Sequence, residues 1–367
     1  MNTVLNYWNV HGIGTQKQLL IIGDAALYDQ RVNIEKLLPD DFVATTVSFS
    51  ANVSCESVLK TVKLFLEQDG ISYDTVYFKP ESSFVEAAYK KLLDELTLLL
   101  PDALWILGLY NYEADSIVNA VADEYGFACG DVNTMATLLT AVPDRATPKD
   151  LLETCETIGW IKYEVRSFEK VRPRVLLVGD SIIWGGHEFT ANALADCADV
   201  NTFVTSFGVN DKRFTTIVET LCSMNDADYD VVYFNNGLHS HGQTPDEYAK
   251  NYNKTISALM KCFPKAKWIL GLSTPVSENP KSGTQYDTPI TEKRRADSAE
   301  KNTLACLYNE KVKAIAEKLT LPYLDAYSLM VDKDEWKVDC YHYNEQGRKL
   351  FGEAVASKIL AEASLSK

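Results

Sequence analysis

Two kinds of apolar pattern alternate along the chain. Short unbroken runs such as Leu19-Leu20-Ile21-Ile22 and Val175-Leu176-Leu177-Val178 are the signature of strands buried on both faces. Between such runs, apolar residues return at helical spacing. Glu56 to Gln68 gathers Val58, Leu59, Val62, Phe65 and Leu66 on one broad face, and Ser83 to Leu100 does the same with Tyr89, Leu92, Leu93, Leu96 and Leu99. Phe214 to Cys222 and Thr244 to Cys262 are further predicted helices. Strands alternating with helices imply βαβ crossovers and a parallel sheet.

The alternation is written twice. Leu19 to Ala25 matches Val175 to Ser181, with the same Gly-Asp exit from the strand but alanine in place of serine. Val47-Ser48-Phe49-Ser50 matches Thr205-Ser206-Phe207-Gly208, and Tyr73-Asp74-Thr75-Val76-Tyr77-Phe78 matches Tyr229-Asp230-Val231-Val232-Tyr233-Phe234. Trp105-Ile106-Leu107-Gly108-Leu109 matches Trp268-Ile269-Leu270-Gly271-Leu272. Four matches in order at a nearly constant offset indicate duplicated domains; the period is too long for a solenoid. The join is expected near Glu169-Lys170-Val171-Arg172-Pro173, which gives domains of residues 1–170 and 171–367.

Outside the repeat, residues 1 to about 16 show little periodicity and read as an arm that packs on something else. Residues 277–300 are polar and turn-rich and read as a long loop at the carboxyl edge of the second sheet, either a substrate-facing lid or a surface insertion. A helix over Asn302 to Leu319, a short strand at Pro322-Tyr323-Leu324-Asp325 and a final helix capped by Asn344 follow.

Composition narrows the partners. The net charge of −15 argues against nucleic acid or an anionic membrane surface as a partner, since both require positive potential. The sequence holds no apolar stretch long enough to span a bilayer and no export signal at its start, so a cytoplasmic protein is expected. The eight cysteines form no C-x-x-C pair and read as reduced thiols. No metal or other cofactor is suggested. His239 and His241 make an H-x-H pair, but no third ligand stands at useful spacing.

Ser181 falls just past the carboxyl end of a central strand, where doubly wound sheets place their chemistry. A serine hydroxyl needs a base, and the base needs a partner that fixes its tautomer. Asp339-Cys340-Tyr341-His342, just before the last helix, supplies both. A developing oxyanion also needs donors. The backbone N–H of Gly208 follows one strand, and Asn236 and His239 follow the next, in Asn235-Asn236-Gly237-Leu238-His239. Asp180, Trp184 and His187 flank Ser181 and are candidates for a substrate pocket. Trp184 reads also as a core residue and His187 as a turn residue.

The order Gly-Asp-Ser, glycine, an Asn/Gly block and D-x-x-H before the final helix resembles the SGNH (GDSL-type) hydrolases over residues 172–363. The resemblance implies a flavodoxin-like three-layer α/β/α fold, hence two such domains in tandem, and metal-free hydrolysis of an ester. By match to the family's blocks, Ser181 is the nucleophile, His342 the base and Asp339 its orienting partner. The N–H groups of Ser181 and Gly208 form part of the oxyanion hole. The third block departs from the family's Gly-x-Asn-Asp: His239 is the better positional match for the third donor and Asn236 the better chemical match.

The resemblance points to a serine esterase acting on O-acyl, chiefly acetyl, groups of a carbohydrate or other small ester. Acyl transfer through the same acyl-enzyme and non-catalytic glycan binding are the competing readings. The first repeat lacks both hydroxyl and base and reads as a degenerate, non-catalytic copy. It is expected to stabilise the second, shape its site, bind a glycan or mediate homo-oligomer formation.

Overall fold

In a computed structural model of the chain, residues 2–10, 16–50, 53–69, 72–79, 86–109, 116–142, 157–166, 170–211, 213–223, 228–240, 242–278 and 291–363 are described. The chain divides into two compact units, Asn2–Lys162 and Tyr163–Lys367. The division precedes the expected 170/171 join because the end of a strand is already built into the second unit: the Tyr163 hydroxyl lies 2.9 Å from that of Tyr229.

The first unit contains β1 (Asn2–Val10), β2 (Lys17–Asp24), α1 (Ala25–Glu35), β3 (Phe42–Phe49), α2 (Cys55–Asp69) and β4 (Thr75–Lys79). These are followed by α3 (Glu86–Leu99), β5 (Leu104–Gly108), α4 (Ser116–Tyr125), β6 (Ala128–Gly130) and α5 (Val132–Leu139). β7 (Thr157–Val165) carries the chain into the second unit. The sheet order is β1-β3-β2-β4-β5-β6, parallel throughout except at β1, which pairs antiparallel with β3. Much of the expected N-terminal arm is thus a strand. It escapes a period-two reading because Leu5, Asn6 and Tyr7 are all buried, so polar and apolar side chains do not alternate between water and core.

The second unit runs β8 (Arg174–Gly179), α6 (Ser181–Ala193), β9 (Asp199–Thr205), α7 (Arg213–Ser223), β10 (Val231–Phe234) and α8 (Pro245–Cys262). It continues through β11 (Lys267–Gly271), α9 (Glu292–Leu319), β12 (Tyr323–Leu324), α10 (Ala326–Met330) and α11 (Glu345–Ala363). Its parallel strands are ordered β12-β11-β10-β8-β9. The chain steps from β8 to one side and then to the other, so the carboxyl ends of β8 and β10 flank a topological switch point.

The same local chemistry recurs in both units. The Asp74 carboxylate accepts from the Gln18 amide at 2.7 Å, and that of Asp230 from the Arg174 amide at 2.8 Å. Each aspartate satisfies an amide at the start of a central strand. The five strands β3-β2-β4-β5-β6 also follow the order of β9-β8-β10-β11-β12.

One sequence expectation is corrected. Residues 292–300, read as loop, are the opening turns of α9. Their amphipathic signal is weak because the buried side begins with Ser298 and Ala305, and large side chains come only at Tyr308 and Val312. The remainder of that expected loop, 279–290, lies outside the described residues. So do residues 144–148, where the first repeat is expected to hold its counterpart of the D-x-x-H segment.

Candidate active site

The position of Ser181 follows from a helix start. β8 ends at Gly179, and the Asp180 side chain caps α6 by accepting from the Ile182 amide at 2.9 Å. Ser181 is therefore the first residue of α6, at the positive end of the helix dipole. At the other end of the unit, α11 packs across α6 through small residues. A side chain at Gly352 would strike the Gly186 carbonyl, and the Thr190 hydroxyl donates to the Gly352 carbonyl at 2.9 Å. This close crossing brings the loop that precedes α11 over Ser181.

That loop is internally braced. Lys337 and Tyr343 form an antiparallel bridge, and the Val338 amide donates to the His342 carbonyl at 2.9 Å. Asp339 Oδ1 accepts from the amides of Tyr341 and His342, each at 2.7 Å. Its other oxygen lies 2.7 Å from His342 Nδ1, and His342 Nε2 lies 2.9 Å from Ser181 Oγ. Burial alone would raise the Asp339 carboxyl. The hydrogen bond and charge of His342, with the two amides, outweigh it and hold the group below its usual range. An ionised carboxylate only accepts, so Nδ1 carries the ring proton and Nε2 is left to accept from the serine hydroxyl.

Beneath this turn stands Lys337, a residue that sequence reasoning missed. It is 2% exposed. Its Nζ donates to the carbonyls of Pro275 at 2.6 Å and Tyr341 at 3.1 Å, and it lies 4.0 Å from the centre of the Tyr343 ring. Burial pulls its pKa down to about 7, against the opposing charges of Asp334, Asp339 and Cys340.

The opposite wall is built by the exits of β9 and β10. A Cβ on Gly208 would lie 2.6 Å from the His239 carbonyl oxygen, so only glycine permits the two segments to approach. Asn236 is buried, and its amide donates to the Phe207 carbonyl at 2.8 Å. Its side-chain oxygen accepts from Ser240 Oγ at 3.3 Å, and its own carbonyl from the Tyr248 hydroxyl at 2.9 Å. Asn236 therefore ties the two exits together. His239 is half-buried, and its pKa is lowered to about 4 by burial first, then by the charges of His342 and Lys301. Its ring is neutral at physiological pH and carries one N–H.

Against this geometry, residues 175–355 match the model of the GDSL-like lipase/acylhydrolase family. They belong to that family. This part of the chain is a carboxylic-ester hydrolase domain. A GDSL esterase/lipase of Arabidopsis thaliana is 26% identical over 222 residues, spanning 53% of this chain and 88% of the relative. Similar solved structures include a carbohydrate acetylesterase from Sinorhizobium meliloti, 19% identical, covering 52% of this chain and 99% of that one at a TM-score of 0.40. An aryl esterase of M. smegmatis is likewise 19% identical, with 52% and 99% covered at a TM-score of 0.39.

The other candidates in the GDSL domain fall differently. Asp180 is wholly buried, with its pKa raised to about 6 by burial against the pull of the Ile182 amide and the His342 charge. It is a cap inside the domain, not a pocket wall. His187 is also interior: its Nδ1 meets the Trp184 carbonyl and its Nε2 lies 3.5 Å from Glu164. The half-buried Trp184 stacks on the His187 ring with centroids 4.1 Å apart. His241 is outside the described residues. Among the described residues no cluster of His, Cys, Asp or Glu is arranged to hold a metal ion, and no helix is long and apolar enough to cross a membrane. The domain also carries a pocket of about 290 Å³, bordered by Leu238 and Tyr341 and by one face of α9.

Proposed function

We propose that the GDSL domain is a serine esterase that hydrolyses O-acyl esters, acetyl esters of a carbohydrate or other small alcohol foremost, through an acyl-serine intermediate. The observation that carries the reading is the continuous chain from Asp339 through His342 to Ser181, with links of 2.7 Å and 2.9 Å.

Ser181 Oγ attacks the ester carbonyl while His342 Nε2 takes its proton. The imidazolium that forms is stabilised by the Asp339 carboxylate. Negative charge develops on the carbonyl oxygen, and the N–H groups of Ser181 and Gly208 receive it. His239 supplies the third donor. In support, the Asn236 amide donates to the Phe207 carbonyl, and the neutral His239 ring lies within range of the His342 charge. His342 then returns its proton to the departing alcohol. Water, activated by the same imidazole, releases the acid and restores the serine.

The first unit is, in this proposal, a degenerate copy of the same fold with a non-catalytic role. Ala25 stands at the start of α1 where Ser181 opens α6, and the matching strand orders and Asp74/Asp230 hydrogen bonds support common ancestry.

The test is a fluorophosphonate probe with p-nitrophenyl acetate turnover. One label per chain at Ser181, and loss of both labelling and turnover in Ser181→Ala, are expected. Undiminished turnover in that variant would remove the proposed nucleophile.

A further inference from the structure

Asp180 uses its two carboxylate oxygens unequally. The side chain is wholly buried, and Oδ1 caps α6 through the Ile182 amide at 2.9 Å. Oδ2 is buried with no hydrogen-bond partner, and among the described residues no lysine or arginine pairs with it. The cap alone does not account for this charge. Asparagine caps a helix as well as aspartate and brings no charge to desolvate.

The first unit treats the same position differently. Asp24 caps α1 by accepting from the Leu27 amide at 3.1 Å, as Asp180 caps α6. A Cβ on Gly23 would lie 2.7 Å from the Lys79 carbonyl oxygen, and one on Gly179 would lie 2.8 Å from that of Asn235. Lys79 and Asn235 therefore hold equivalent places at the exits of β4 and β10. Lys79 Nζ lies 3.9 Å from Asp24 Oδ2. Asn235 has no charge to offer, and its amide donates to the Gly271 carbonyl at 2.9 Å. The first unit, whose only histidine is His11, thus pairs its cap aspartate with a cation, and the second unit leaves the charge unpaired.

In the second unit the cation within range is the one that His342 becomes. Asp180 is joined to Ser181 by a single peptide bond, and Ser181 Oγ lies 2.9 Å from His342 Nε2. The other titratable groups that face Asp180 are Tyr233 of β10 and Tyr248 of α8. Burial keeps both phenols neutral, and the Asp180 charge adds to the effect. A carboxylate out of water attracts a cation at this range far more strongly than one in solution.

We infer that Asp180 is a positioning residue for the reaction, its buried charge acting through His342 to stabilise the imidazolium formed when the Ser181 proton is taken up. The inference rests on the esterase reading above and gives its base a second anion, on the Ser181 side, beside Asp339 at Nδ1. Burial raises the Asp180 carboxyl to about 6, against the Ile182 amide and the His342 charge, so this anion is lost in mild acid. The acid limb of kcat/KM then answers to two protons, one on His342 and one on Asp180.

The experiment uses Asp180→Asn, which keeps the cap acceptor and removes the charge, and Asp180→Ser, a second uncharged cap should the first not fold. Thermal melting reports folding. An NMR titration of the histidine rings, with His342 assigned from His342→Gln, needs no turnover. Loss of the Asp180 charge should lower the His342 midpoint by about one pH unit, the scale of a nearby opposite charge. With p-nitrophenyl acetate, the wild-type acid limb should be steeper than one proton below about pH 6, and the variants should show a one-proton limb. Their plateau should fall by about tenfold, through kcat and not KM, as one unit of lost imidazolium stabilisation implies. An unmoved His342 midpoint in a folded variant overturns the inference, as do limbs of equal slope in wild type and variants. A lowered midpoint without p-nitrophenyl acetate turnover by the wild type would support the coupling and sink the esterase reading itself.

Discussion

The side-chain nitrogen of Lys337 stands 3.1 Å from the carbonyl oxygen of Tyr341, the residue next to the proposed base. Through its second bond, to Pro275, it fixes the D-x-x-H turn to the segment leaving β11. Replacing it with methionine keeps the volume and leaves both carbonyls without this donor. Lys337→Met should stay folded and lose between about tenfold and a hundredfold in kcat with little change in KM, because small misplacement of a catalytic group is costly. An unchanged kcat in the folded variant would show that the turn holds its geometry without the lysine.

The same side chain makes a pH prediction. Its pKa lies near 7 in the folded protein against an ordinary 10.5. Between these values the unfolded chain binds the extra proton, so stability rises with pH across this window. The melting-temperature advantage of the wild type over Lys337→Met should therefore widen from about pH 7 toward pH 10. A constant difference would mean that the amine is not desolvated as its burial implies.

His239 acts in a lower window. Its pKa falls from 6.5 to about 4 on folding, so protonation of the unfolded chain erodes stability as pH drops through that interval. Asp180, raised to about 6, works in the opposite direction, but it does so in wild type and variant alike. Melting curves of His239→Asn should thus show a shallower acid decline than the wild type. A donorless variant, His239→Leu, tests the oxyanion role: kcat should fall by about a hundredfold or more if the ring N–H is a donor.

Asn236 is expected to behave as a brace. Asn236→Ala leaves the buried Phe207 carbonyl without its donor, which costs on the order of 1–3 kcal/mol of stability. Stability and kcat should fall together, because Gly208 is attached to the loosened segment. A large loss of kcat at unchanged stability would return Asn236 to the oxyanion hole.

Asp339→Asn replaces a pure acceptor by a group that also donates. The imidazole would then favour the tautomer with its proton on Nε2, facing Ser181. Loss of about 10⁴-fold in kcat is expected, the scale seen when a triad aspartate is so changed. Burst kinetics with p-nitrophenyl acetate would place the loss in acylation.

What was legible in the sequence has a common physical basis. Doubly buried strands leave unbroken apolar runs, and Ser181, Asp339 and His342 sit at the ends of regular elements, where spacing is informative. The contents of the Asn235–His239 segment were legible but not their division of labour. That Asn236 donates to the Phe207 carbonyl is a matter of tertiary contact. Lys337 left no signal, since a charged residue between Trp336 and Val338 reads as solvated surface. α4, β6 and α5 are short, and their few buried positions, such as Val118, Val121 and Met135, make no sustained period.

The crossing of α6 and α11 also sets a timetable. Ser181 opens the former helix and His342 immediately precedes the latter, so hydroxyl and imidazole emerge from the ribosome at opposite ends of the domain's synthesis. In the proposed mechanism a nascent polypeptide has its nucleophile long before its base and cannot attack esters around it. On that reading turnover begins only when the last helix docks, which would make appearance of esterase activity a direct clock for completed folding.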